Sequence, residues 1–524
     1  MKKFNLAVLV AAATVSTACD NFLDVNDNPN APETVTANLY LPPMLHWVAT
    51  APQFDGRFVG RYTEQWVLPH TTGTPNIWSR MGYDRGSDNA AQQWRDVYWT
   101  MGQNLVDLMN LAEAEERWDI LGVGYILKAW GWLALTSLHG EIIIEQAFDV
   151  TRFQFDYDTQ ELAYQEVLRL LDEAIVNLER TDGAVDAGYL AVGDRIYNGD
   201  RTKWLKVAYG LKAMALNHFS NKASYDPAQV IALVDQSLTG NADDPLFPYP
   251  GVDAANADKN FWGRTRSNIV NYRQTQFTLE LMDGTQFGGV EDPRMTRMLA
   301  ASPDGEYRGI DPDIGYSAFT TDERPNNLHG FAGTGGQGEP GRYLFDDKSK
   351  IPVMLTYSQL QFIKAEAALL MGNQSLAKAA YLEGISSHID FVNARNAETA
   401  NPTITQISAQ EKADFLASPE INPPTLTLSH IMSQKFIAQW AWGHNELWMD
   451  MRRYDYTDLD PVSGTQVFRG FTIPANLDTD NGGRPVERLR PRYNSEYVWN
   501  REGLEAIGGL APDYHTVPMW ITEQ

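Results

Sequence analysis

The sequence predicts an all-α protein of paired helices with long irregular insertions. Three observations predict it. Apolar residues recur at spacings of three and four along many stretches, the period of a helix with one buried face. Strand signals are scarce, with residues 142–144 and 467–473 the short candidates. Glycine and proline interrupt the helical pattern over tens of residues, and 301–345 alone holds nine glycines and four prolines. The chain has 524 residues, 43% hydrophobic and 21% charged. That composition excludes a disordered chain and allows one large core without disulfides. The formal charge is −25 with no basic run, which disfavours nucleic acid as a partner and peripheral docking on anionic lipid.

The elements follow in chain order. Lys2 and Lys3 precede an uncharged stretch, residues 6–18, too short to span a bilayer and suited to export. Ser16-Thr17-Ala18-Cys19 closes it, and Cys19 is the only cysteine. Small residues before a cysteine resemble a lipobox, although Ser16 stands where a leucine is usual. Residues 1–18 therefore read as a lipoprotein signal peptide, with Cys19 the lipidation site. Ordinary cleavage leaving a free thiol is the alternative. Residues 19–45 read as the lipidated tether and 46–524 as a single helical domain, with loop insertions about 240–350. Residues 121–138 are apolar but carry Lys128 and glycines, so they read as a core helix.

Helices are expected at about 88–115, 120–138, 202–219, 227–239 and 427–450. Asp158 with Glu161 has capping-box spacing, and Tyr164, Leu168, Leu171, Ile175 and Leu178 line one face behind it. Leu360, Ile363, Ala367 and Leu370 form another face, ended by Gly372. Ala377, Tyr381 and Gly384 then continue part of the tetratricopeptide spacing, with Ile389 where its proline is expected. Small residues at these places let two helices approach closely.

Motifs that carry catalytic chemistry are mostly missing from the sequence. There is no H-E-x-x-H, no G-x-S-x-G and no clustered histidine. Gly333, Gly335 and Gly338 match G-x-G-x-x-G but neither follow a strand nor precede a helix, so a flexible loop is expected. Asn476, Asp478, Asp480 and Glu487 loosely follow a calcium-loop spacing, with Asn481 in place of the turn glycine. A solvated acidic turn is the alternative, and no catalytic metal or cofactor is predicted. Aromatics are the positive signal. Trp94, Trp130, Trp204 and Trp440 sit on helical patterns and read as core. Trp78, Tyr83, Trp262, Tyr272 and Tyr316 fall in or beside loops, near Arg80, Arg264, Asn268 and Arg324. Aromatic faces beside polar groups suit sugar rings, so these nine residues are the candidate ligand site. The alternative for each aromatic is that it plugs the underside of its own loop.

Short matches spread along the chain then carry a resemblance. They begin with Cys19 to Asn28-Pro29-Asn30, His139-Gly140-Glu141-Ile142 with Ala147-Phe148, and Tyr197-Asn198-Gly199-Asp200 with Lys203-Trp204. They continue with Asp292-Pro293-Arg294, residues 355–372, Glu446 with Asp450-Met451-Arg452-Arg453, and Arg490-Pro491-Arg492-Tyr493 with Glu496 and Asn500. In this order they resemble the SusD/RagB family of surface lipoproteins. The resemblance implies four tetratricopeptide-like helix pairs, with the binding site on irregular elements packed against them. It implies a lipid-anchored outer-membrane protein facing the exterior. Such a protein binds an oligosaccharide, or in some members a peptide, and passes it to a SusC-like TonB-dependent transporter without chemistry. Glu446, Asp450, Arg452 and Arg453 are expected in buried ion pairs. Two other classes stay open: a surface glycoside hydrolase and a scaffold that binds only protein.

Overall fold

The computed structural model of the chain describes residues 35–251, 258–333, 341–399 and 401–523. Cys19, the signal peptide and most of the glycine loop from Gly335 to Gly338 lie outside the described residues.

Ten of the helices among the described residues carry the fold. They are α1 (Leu41–Tyr62), α2 (Gly102–Ala114), α3 (Trp118–His139), α4 (Gln160–Glu179) and α5 (Arg201–Asn217). The rest are α6 (Pro227–Gln236), α7 (Tyr357–Leu370), α8 (Gln374–Thr399), α9 (Leu428–Gln439) and α10 (His444–Arg453). From α2 to α8 each packs on the next, so sequence neighbours are spatial neighbours, as in a repeat scaffold. The α7–α8 pair shows why. Asn373 N–H bonds Ala368 O and Gly372 takes φ +80°, which closes α7 and reverses the chain. A β-carbon at Gly384 would stand 2.9 Å from the Phe362 ring, so the glycine sets how closely α8 approaches α7. Helix α3 is long and apolar enough to cross a membrane, but 89% of its apolar window is buried inside the protein. It is a core helix.

The expected helices depart from the structure at three places. The cap of α4 is Thr159, whose hydroxyl accepts the Leu162 N–H. Asp158 instead accepts the amides of Ile144 and Glu145, fastening the chain after α3. The 88–115 stretch is broken by a π-turn, Asp96–Met101, ahead of α2. The 427–450 stretch is two helices. Between them Trp440 Nε1–H bonds Gln65 O, and the Ala441 amide bonds Gln65 Oε1. The folded body also begins before residue 46, since Leu41, Met44 and Leu45 are buried.

Sheet is confined to two antiparallel pairs among the described residues. In chain order the strands are β1 (Trp66–Val67), β2 (Leu246–Phe247), β3 (Arg273–Gln274) and β4 (Ile351–Pro352). β1 pairs with β3 and β2 with β4. Residues 142–144 and 467–473 supply no strand. Ile142 makes an isolated bridge to Asp158. The β2–β4 pair closes the long insertion at its base, and the β1–β3 pair ties its middle to the segment that follows α1.

The family-like acidic and basic residues meet inside. Arg453 pairs with Glu366 of α7 and with Asp450, both at 2.7 Å, and Asp450 pairs with Lys435 of α9 at 2.7 Å. Glu446 meets His218 at 3.0 Å. Arg452 departs from expectation. It donates to the carbonyls of Glu487 and Ser137 and lies over Trp448, with no carboxylate partner among the described residues.

Candidate functional site

The β1–β3 pair leaves Leu68 and Pro69 running out beside Asn271 and Arg273. Arg273 then organises the loops around it. Its Nε–H bonds Pro325 O at 2.9 Å and Nη2 bonds Gly333 O at 2.9 Å, tying two distant turns to β3. Burial lowers the Arg273 pKa, opposed by the nearby Tyr316 hydroxyl. Tyr316 is placed by its own backbone, whose amide bonds His70 O at 2.7 Å. Gly315, at φ +62°, makes that approach possible, because a side chain there would strike the His70 carbonyl.

These loops enclose a cavity of about 430 Å³, lined among others by Leu68, Pro69, Asn271, Tyr316, Thr321 and Arg324. The Arg324 guanidinium lies 4.8 Å from the Tyr316 ring centre. Its Nε is buried and has no hydrogen-bond partner among the described residues. The cavity thus offers the Tyr316 ring, the Arg324 guanidinium beside it and the exposed side-chain amide of Asn271. Among the described residues its lining holds no nucleophile–base pair.

Of the nine candidate residues, Tyr316 and Arg324 meet here. The others do not. Trp78 is 2% exposed, its ring 4.8 Å from Phe58 and 4.7 Å from Tyr83. Tyr83 is buried as well and donates to the carbonyls of Asn89 and Arg490. Trp262 is fully buried, edge-on to Trp66 at 5.3 Å, with Nε1–H on Gln53 O. These three plug the undersides of their loops. Arg80 is held by Asp478 at 3.2 Å and by the Asn476 and Leu477 carbonyls. Arg264 pairs with Asp346, and Asn268 donates to Phe261 O. Tyr272 is half-buried under Arg61. Arg273 and Asn271 escape sequence reasoning, since neither periodicity nor motif marks them. Their adjacency to Tyr272 is the one available signal.

The calcium-like spacing serves arginines instead. Asp478 binds Arg80, and Asp480 binds Arg85 at 2.9 Å. Glu487 is buried, which pushes its carboxyl up to about 7. Among the described residues no three His, Cys, Asp or Glu side chains group to hold a metal.

Fold and cavity together define a helix-pair scaffold whose insertions wall a pocket of mixed polar and apolar lining. The chain belongs to the SusD-like family, described as starch-binding and associating with the outer membrane, whose family model matches residues 29–474. Solved structures share the fold. A SusD/RagB family protein from Bacteroides thetaiotaomicron superposes with a TM-score of 0.66 at 20% identity, covering 93% of this chain and 99% of that one. A SusD homologue from Bacteroides fragilis gives 0.70 at 17% identity, over 94% and 100%. A chitin-binding SusD homologue from Flavobacterium johnsoniae gives 0.65 at 18% identity, over 93% and 98%. No curated protein matches the chain.

Proposed function

We propose that the protein captures an oligosaccharide at the outer membrane, in the Tyr316–Arg324 cavity, and hands it to a TonB-dependent transporter of the SusC type. One observation carries this reading: three separate loop segments converge on a cavity that presents a tyrosine ring beside an arginine guanidinium. Sugar rings stack their C–H faces on such a ring and offer hydroxyls to the guanidinium and to Asn271. The family's outer-membrane association, the chitin-binding neighbour and the lipobox-like Cys19 support capture at the cell surface. In this reading the protein is lipid-anchored at Cys19, faces the exterior, needs no cofactor and performs no reaction.

The test is calorimetric titration with starch and chitin oligosaccharides and with a peptide pool. Saturable glycan binding is expected, without product. Tyr316→Ala is expected to weaken it about tenfold, the scale of one lost ring contact. Binding of the peptides alone would change the substrate. Release of shortened glycan would make the protein a hydrolase.

A further inference from the structure

A larger groove lies elsewhere on the molecule and shares no lining residue with the Tyr316 cavity. It holds about 640 Å³ between the stretch Trp94–Gln103, the loop from Ile143 to Phe155, and residues 492–496. Five aromatic rings line it: Trp94, Tyr98, Trp99, Phe148 and Phe155. Its walls are fixed. The Tyr98 hydroxyl donates to Ile143 O and accepts the Ile143 amide, both at 2.8 Å. The Phe155 amide bonds Asn500 Oδ1 at 2.8 Å, joining the second wall to the third.

The groove is left open at apolar edges. Trp99 is 68% exposed and Val150 84%. Large apolar groups left in water around a concavity mark a place that something else covers. The charges say what. Arg152 is paired with Asp149, Arg492 with Asp88, and Glu496 accepts from Tyr157 and Asn500. Arg95 differs. Its guanidinium rests on the Trp99 ring at 4.5 Å and forms no ion pair among the described residues. One planar cation without a carboxylate matches one carboxylate. A polyanion is disfavoured by the charge of −25.

We propose that this groove is a second ligand site, which takes an aromatic group bearing a single carboxylate. The ring lies among Trp99, Phe148 and Phe155, and the carboxylate meets Arg95. A free aryl acid and the C-terminal aromatic residue of a peptide share this chemistry.

The experiment is calorimetry of the full-length chain in detergent with 4-phenylbutyrate, Gly-Gly-Phe, and the amide of each. At least one acid is expected to bind saturably, about tenfold or more tighter than its amide, the scale of a charge-assisted hydrogen bond. Binding of one acid but not the other supports the site and identifies the source. Arg95→Gln is expected to abolish the preference for acid over amide, Arg95→Lys to restore part of it, and Trp99→Ala to weaken acid and amide alike. Trp99 is exposed, so its truncation leaves the fold intact, and a thermal melt checks this. Tyr316→Ala is expected to change nothing here, which separates this site from the saccharide cavity. Equal affinity for acid and amide, no saturable binding of either acid, or an acid preference that survives Arg95→Gln would overturn the proposal. So would a neutral oligosaccharide whose binding is lost with Trp99→Ala.

Discussion

Adjacent side chains on α10 show how far single residues can be read. Arg452 and Arg453 are one residue and about 100° of helix apart, so they point to different neighbours. Arg453 reaches Glu366 and Asp450, fully buried on both sides. Burial alone would push the Glu366 carboxyl up. Arg453 beside it, with Lys435, reverses this and holds it well below the usual carboxylate range. Tyr454 and Asn217 supply the remaining hydrogen bonds, so the carboxylate is fully partnered. Glu366→Gln removes one anion and leaves Asp450 as the one carboxylate in ion-pair contact with Arg453 and Lys435 among the described residues, with Glu446 farther off. A loss of about 3–5 kcal/mol is expected, because a buried charge loses its counter-charge. Urea unfolding measures it, and a change below about 1 kcal/mol would show that water solvates the cluster. The resemblance marked Asp450 and Arg453 of this cluster but not their partners Glu366 and Lys435. It could not mark Arg452's partners, because the Ser137 and Glu487 carbonyls are backbone groups that any residue carries. The same limit applies to the ligand residues. Trp78 and Tyr316 are both aromatics in loops, and only the chain path determines which one faces a cavity.

At the scale of elements, helical periodicity identified α2 to α10 but neither α1 nor the interruptions. Trp440 and Trp442 keep the apolar pattern going across the break between α9 and α10, so the pattern reads as continuous. The break is visible only in Gln65, which satisfies the backbone there from the end of α1. Helix α1 acts similarly at the entry to the π-turn segment. Asp55 accepts the amides of Gln92 and Gln93 at 2.9 and 2.8 Å, so a carboxylate 37 residues upstream caps the short helical turn. Burial raises the Asp55 carboxyl from 3.8 to about 7, opposed by those two amides. The fold therefore prefers the protonated form. The stability this contributes is complete below pH 3.8 and is lost as pH rises through about 7. Asp55→Asn stays neutral throughout. Its melting temperature relative to the parent is expected to improve between pH 5 and pH 8, by the equivalent of about 3 kcal/mol. A gap that stays constant over that range would mean the carboxyl is ionised at both ends.

On the scale of the whole molecule, the segment after α10 is a lace across the scaffold. Leu489 N–H bonds Leu138 O at the end of α3. Arg488 Nε–H bonds Val517 O, and Arg490 donates to the carbonyls of Gly509 and Ala511. The Ile521 amide closes the lace on Gln160 Oε1 at 2.9 Å, and Met519 and Ile521 are fully buried in the core. Contacts between segments 350 residues apart leave no periodic trace, so no local pattern announces them. One core cluster includes residues from Ala37 to Ile521. Removing residues 515–524 is therefore expected to weaken the entire fold rather than fray one end. The loss includes two buried apolar side chains at about 2 kcal/mol each and the charged hydrogen bonds of Arg488, on the order of 5 kcal/mol together. Calorimetry is expected to show one transition moved to lower temperature. A split into two transitions, with the main one unmoved, would mean the tail and the helix pairs unfold independently. Because α3, α4 and the tail share these contacts, the Tyr316 cavity is expected to lose its ligand affinity at the same temperature as the scaffold melts.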